Sequence, residues 1–254
     1  MNSCRNKTEK LVIKNIKKSF EDTRVIDDVS LSVGEKEFVS LMGLSGSGKS
    51  TIFNIISGLV TPDAGKVFID GLDFTGRTGR VSYMYQKDLL LPWKRIIDNV
   101  CLPLIIKGES KMKAREAVEG YFKVFGLEGF ENKYPFQLSG GMKQRAALMR
   151  TYMFSKDIML LDEPFAGLDA ITRAKMHNWL LGVLKELNAS VLLITHDVEE
   201  AIYLSDRIYV LSGRPATVKS EIKVDLPGER DSGVITTAEF NHIKKDILNI
   251  LQKA

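Results

Sequence analysis

The chain has 254 residues, 44% of them hydrophobic and 27% charged, which suits a globular protein that buries a real core in one large domain with at most a modest appendage. A formal net charge of +4 and the lack of a long Lys/Arg block argue against a nucleic-acid arm. Only Cys4 and Cys101 occur, without partners at metal spacing, so a reduced, cytosolic compartment with passive thiols is expected. No apolar run reaches the ~18 residues a membrane span needs, and residues 1–10 are polar without a signal-peptide core. Any membrane role is therefore expected to be peripheral.

In chain order, residues 11–20 and 23–33 predict two antiparallel strands joined at Glu21 and Asp22. Phe20 closes the first; an aromatic there fits core packing or stacking on a purine face, and the residue alone does not choose. Val39 and Leu41 then lead as an apolar strand into Gly43, Leu44, Ser45, Gly46, Ser47, Gly48, Lys49, Ser50 and Thr51. Ile52, Phe53, Ile55, Ile56 and Leu59 follow at helical spacing. The run fits G-x-x-x-x-G-K-[ST] with strand and helix both in place. Small residues let successive N–H groups turn inward around phosphate oxygens, and the helix N-terminus adds partial positive charge. Lys49 is expected to reach the β- and γ-phosphates, and the Ser50 hydroxyl to ligate Mg²⁺.

Residues 61–65 predict a turn, 66–70 a short strand, and 81–85 a strand ending at Gln86. Residues 88–93 gather Leu90, Leu91 and Trp93 around Pro92, a cluster that fits either core or an exposed anchor for a partner. Residues 97–126 read as helix broken at 107–110, with Lys111, Lys113, Arg115, Glu116 and Glu119 on a solvated face. Residues 138–145, Leu-Ser-Gly-Gly-Met-Lys-Gln-Arg, open a helix running to about Phe154. Ser139, Gly140 and Gly141 make its start either a second anion-binding terminus or a plain serine cap.

Residues 158–163 form an apolar strand ending in Asp162 and Glu163. Strand alternation sends the two carboxylates to opposite faces, so they cannot share one task. The C-terminal edge of a buried, parallel-type strand is where α/β sheets place ligands. Asp162 suits the outer shell of a Mg²⁺ held by Ser50, and Glu163 would then face the attacking water. A tight turn to Asp169 precedes an amphipathic helix over 170–187, with Met176, Trp179, Leu180, Val183, Leu184 and Leu187 on its apolar stripe. Residues 190–195 are another apolar strand, which brings His196 to the same kind of edge; His177 and His242 are expected on the surface. A strand over 207–212, an edge strand over 216–225 and a helix over 238–253 with Phe240, Ile243, Ile247, Ile250 and Leu251 complete the chain.

Together these pieces resemble the ATP-binding subunit of an ABC transporter over nearly the whole chain. The motifs stand in the family's order: 43–51, Gln86, 138–145, 158–163, Leu168 with Asp169, and His196. The resemblance implies an α/β fold of the P-loop NTPase (RecA-like) kind, with a mostly parallel sheet core and an N-terminal antiparallel β subdomain. An α-helical subdomain would be inserted at about 97–149, the cassette would span 8–230, and 231–254 would be a helical tail with no separate regulatory domain. Phe20 takes the place of the aromatic that stacks on adenine, and Asp169 lies beside the nucleotide. Gln86 is similar to the glutamine that touches Mg²⁺ and water while reporting to the membrane subunit. Glu163 would polarise the water in an in-line phosphoryl transfer, Lys49 would meet the developing charge, and His196 would contact the γ-phosphate.

The resemblance also implies a homodimer in which Ser139, Gly140 and Gly141 of one copy grip ATP bound by the other, together with Mg²⁺ as cofactor. Its partners would be integral membrane permease subunits and, indirectly, a solute-binding protein, with the chain peripheral on the cytoplasmic face of the cell membrane. Three departures from the family pattern are Met142 where glutamine is usual, residues 150–153 after the signature, and the order of Ala166 and Gly167. None removes a catalytic group. Residues 86–93, 195–201, 211–215 and 224–227 look like the nitrate/sulfonate/taurine import group, whose relatives also carry pyrimidine or other vitamin precursors. A DNA-repair or chromosome ABC ATPase would need long coiled-coil heptads, which are lacking, and a translation-associated one would fuse two cassettes.

Overall fold

A computed structural model describes residues 8–226, 230 and 233–253; Cys4 and Pro227 lie outside them. Residues up to Arg80 and from Asn188 onward form one compact unit, and Val81–Leu187 form another.

In the first unit, β1 (Glu9–Phe20) and β2 (Thr23–Gly34) pair antiparallel, with Phe20 opposite Thr23 across the two-residue turn. The buried alternation Leu11, Ile13 slips to Ile16 because Asn15, at φ 50°, bulges the strand. β4 (Ala64–Ile69) pairs with β1, and the two-residue β5 (Leu72–Asp73) closes a sheet of order β2-β1-β4-β5.

A second layer holds β3 (Phe38–Met42), β8 (Ser190–Ile194), β9 (Arg207–Leu211) and β10 (Val218–Lys223), in the order β10-β9-β3-β8. β3 is parallel to both neighbours, whereas β10 is an antiparallel edge strand. Every residue of β3 and β8 is buried, as expected of strands covered on both faces. α1 (Lys49–Ile56) buries Ile52, Phe53, Ile55 and Ile56. It ends before Leu59, which is exposed rather than on the helix's apolar face. Gly58 turns the chain there at φ +76°, and a Cβ at that position would sit 2.2 Å from the Arg77 carbonyl oxygen. α6 (Val198–Leu204) and α7 (Ala238–Gln252) pack together; Phe240 and Ile247 are the buried residues of α7.

The second unit carries the parallel pair β6 (Ser82–Met84) and β7 (Ile158–Asp162), with Met84 opposite Leu161. Its helices are α2 (Ile96–Ile106), α3 (Lys111–Val124), α4 (Gly140–Phe154) and α5 (Ala170–Leu187). Gly108 at φ +97° and the Ser110 N-cap separate α2 from α3, which buries Ala114, Val118 and Phe122 and leaves most of its charges outward. α5 buries Met176, Leu180, Val183 and Leu184, while Trp179 and Leu187 are only half-buried. His177 is half-buried too, edge-on to Phe165 at 5.3 Å, and so is less of a surface residue than its position suggested. His242 lies on the surface, 3.5 Å from Asp246. No helix of the described residues is long and apolar enough to cross a membrane.

Candidate functional site

In the first unit the loop after β3 is built by its own residues. Gly48 caps α1 at φ +90°, and Gly46 stands at φ +76°, backbone that side chains disfavour. A Cβ on Gly43 would meet the Ser47 hydroxyl at 2.9 Å and Leu211 Cβ at 3.1 Å, so a larger residue there would displace its neighbours. Lys49 is buried, and its ammonium donates to the carbonyls of Gly43 at 2.9 Å and Leu44 at 2.8 Å, folding the side chain back over the loop. Ser45, Gly46 and Ser50 are exposed, Ser47 is buried, and Thr51 is half-buried on the first turn of α1. Leu41 lies opposite Ile194, so the parallel strands deliver this loop and His196 to one edge. His196 is exposed there, ahead of Asp197, whose Oδ1 accepts from the N–H groups of Glu199 and Glu200 and so starts α6. Phe20 is 46% exposed rather than in the core; the ammonium of Lys18 lies 5.4 Å from its ring while pairing with Asp63 at 2.7 Å.

In the second unit the acidic edge is built from two strands. On one face the Tyr83 hydroxyl donates to Asp162 Oδ2 at 3.3 Å; beyond it, Gln86 Nε2 donates to Glu163 Oε2 at 3.1 Å. Tyr83 and Tyr85 stack with centroids 4.3 Å apart. Glu163 has φ 44°, the left-handed region that few non-glycine residues adopt. Its carbonyl accepts from the Ala166 N–H, closing the turn toward Asp169. Asp169 is exposed, and hydrogen bonds from Thr172 hold its carboxyl below the ordinary range while capping α5. Ser139 is the N-cap of α4, its hydroxyl accepting from the Met142 N–H at 3.4 Å. Ser139 and Gly140 are exposed and Gly141 is half-buried, so this helix start is open.

Two residues outside the predicted site support it: Asn99, which no motif marks, and Arg150, which stands in the run after the signature. Asn99 is fully buried on α2, takes the Leu91 N–H at 2.7 Å and donates to the carbonyls of Leu91, Lys94 and Arg95. Arg150 donates to the carbonyls of Asp88 and Leu89 at 2.6 and 2.7 Å. Between them they hold the stretch that follows Gln86. The apolar cluster there divides: Leu90 is buried, Leu91 half-buried, and Trp93 is 71% exposed.

Residues 26–166, more than half of the chain, match the family model described as ABC transporter. The formylaminopyrimidine import ATP-binding protein of Halalkalibacterium halodurans is 42% identical over 229 residues, 89% of this chain and 90% of that protein. The nitrate import ATP-binding protein of a Synechocystis species is 40% identical over 207 residues, 82% of this chain and 78% of that protein. Among solved structures, a dimeric ATP-binding cassette in a post-hydrolysis state, bound to ADP and Pi, superposes with TM-score 0.71 at 32% identity. That likeness covers 85% of this chain and 99% of that one. The chain therefore belongs to the ABC transporter family: it is an ATP-binding cassette of the P-loop NTPase fold, and an ATPase.

Proposed function

We propose that the chain is the ATP-hydrolysing subunit of an importer, working as a dimer beneath a membrane permease on the cytoplasmic face. One observation carries the reading: besides the helix start at Lys49 that follows the phosphate loop, the chain presents an exposed one at Ser139, where one nucleotide needs only one phosphate loop. A second copy gives the other start its ligand, and the related cassette solved as a dimer supports that arrangement. ATP then joins two copies, and hydrolysis removes the shared ligand so that they part.

Within this reading Lys49 and the N–H groups of residues 43–51 take the phosphates, and Phe20 offers its exposed ring to the base. Asp169 lines the nucleotide site, and His196 contacts the γ-phosphate. Ser139, Gly140 and Gly141 meet the γ-phosphate held by the other copy. Glu163 accepts the proton of the attacking water, and Gln86 steadies Glu163 through its amide. Of the residues assigned to Mg²⁺, Ser50 offers a hydroxyl, Gln86 an amide and Asp162 a carboxylate oxygen, each a hard donor of the kind that cation takes. Bound there, the cation would neutralise charge growing on the phosphates.

The importer assignment draws on relatives whose names specify import, of nitrate in one case and of formylaminopyrimidine in another. We place the cargo in the nitrate/sulfonate/taurine class, with a pyrimidine-type vitamin precursor as the second reading, delivered by a solute-binding protein. The exposed Trp93 is the anchor for the permease. Reconstitution with a candidate permease and solute-binding protein tests this. ATP-dependent uptake of nitrate, an alkanesulfonate or taurine is the expected result. Uptake of formylaminopyrimidine alone would favour the second reading, and ATPase activity indifferent to any permease would refute the importer assignment.

A further inference from the structure

Tyr83 lies within the strand over 81–85 and carries no role in the motifs. We propose that Tyr83 is a positioning residue for the cation site: its hydroxyl fixes the carboxylate of Asp162 in the orientation that takes Mg²⁺. This rests on the assignment of Asp162 to the cation above.

The placement follows from register. Tyr83 lies opposite Leu160 in the parallel pair, so the alternation that carries Leu160 to Asp162 also carries Tyr83 to Tyr85, all on one face. β6 ends at Met84, opposite Leu161, and past the strand ends Gln86 donates to Glu163, whose φ of 44° takes it out of the extended alternation. The two carboxylates thus each receive a donor, Asp162 from within β6 and Glu163 from the residue just beyond it. At 3.3 Å the bond to Asp162 Oδ2 is longer than the usual O–H···O bond, and its part is directional: a donor behind a ligating carboxylate orients it.

The phenol is itself held. Tyr85 stacks on it at 4.3 Å with the planes 17° apart, which restricts the ring and leaves the hydroxyl aimed at Asp162. Tyr85 also immediately precedes Gln86, so the stacked pair anchors the strand end from which both donors project.

The test is Tyr83→Phe, which deletes one oxygen and keeps the ring on Tyr85. In a Glu163→Gln background, so that nucleotide is not consumed, Mn²⁺ binding to the full chain with ATP is followed by electron paramagnetic resonance. Tyr83→Phe is expected to weaken Mn²⁺ about tenfold, at the lower end for such outer partners, while ATP affinity in EDTA stays unchanged. Unchanged Mn²⁺ affinity, in a preparation where Asp162→Asn does lose it, overturns the role of Tyr83 alone. If Asp162→Asn also keeps its Mn²⁺, the assignment of Asp162 falls and the proposal falls with it. Should Tyr83→Phe fail to fold, 3-fluorotyrosine placed at position 83 reports instead. Its fluorine resonance is expected to move when Mg²⁺ joins bound ATP, and a resonance that does not move overturns the proposal.

Discussion

The loop over residues 43–49 closes on itself, with Lys49 binding carbonyls six and five residues back, whereas Asp162 and Glu163 are held by Tyr83 and Gln86, 79 and 77 residues upstream. The first arrangement exists as soon as a strand, three glycines and a helix start are adjacent in the chain. The second exists only when β6 has paired with β7 in the correct register, since a slip of one residue would turn each donor to the wrong face. On the proposed assignment, a contiguous motif serves nucleotide binding and a long-range pairing serves hydrolysis. Binding and turnover should be separable by mutation.

The largest effect is expected from breaking the acidic edge. Glu163→Gln should slow phosphate release in single-turnover assays by roughly 10²–10⁴-fold with ATP affinity retained, and near-normal turnover would remove Glu163 as the base. Lys49→Ala attacks the loop instead. Losing a charged donor to phosphate should weaken ATP binding in calorimetry by roughly ten- to a hundredfold, about 1.5–3 kcal/mol, while leaving the Gln86–Glu163 bond untouched. Unchanged affinity would contradict the phosphate-loop role.

A smaller effect concerns the support behind the acidic edge. Asn99→Ala removes a fully buried amide and the acceptor of the part-buried Leu91 N–H, and should cost about 2 kcal/mol, lowering the thermal midpoint by roughly 4–8 °C. A midpoint within one degree of wild type would mean that water satisfies the turn. The smallest effect is acid sensitivity. Burial would raise the Asp98 carboxyl, but the hydrogen bond and charge of Arg115 outweigh it and hold the group below the ordinary range. A depressed folded-state value stabilises above the unfolded pKa near ~3.9 and loses that contribution as pH falls through the folded one. Stability measured by urea titration should thus be level in mildly acid buffer and decline below about pH 4, less steeply in Asp98→Asn.

Legibility in the sequence follows the same division. The strands and helices that place the motifs could be read because periodicity is local: β3, β7 and β8 are continuous apolar runs, and the α2–α3 break falls at Gly108. The short α6 escaped notice because its seven residues are buried on nearly every side, from Glu200 to Leu204, which erases any amphipathic stripe. The two-residue β5 carries no pattern at all. Phe20 and Trp93 needed coordinates, because an aromatic in a turn reads the same whether its neighbours cover it or leave it exposed. Tyr83, Asn99 and Arg150 act through partners distant in sequence or through backbone carbonyls, so no spacing rule marks them.

The central claim, that the helix start at Ser139–Gly141 serves ATP held by a second copy, is most directly tested by sedimentation. Glu163→Gln with ATP should sediment as a dimer. Adding Gly140→Asp should leave it monomeric with ATP affinity intact. The new carboxylate has room, since a Cβ there lies 3.5 Å from its nearest neighbour, but it would repel an incoming γ-phosphate. An ATP-dependent dimer that forms equally well with Asp at position 140 would contradict the account.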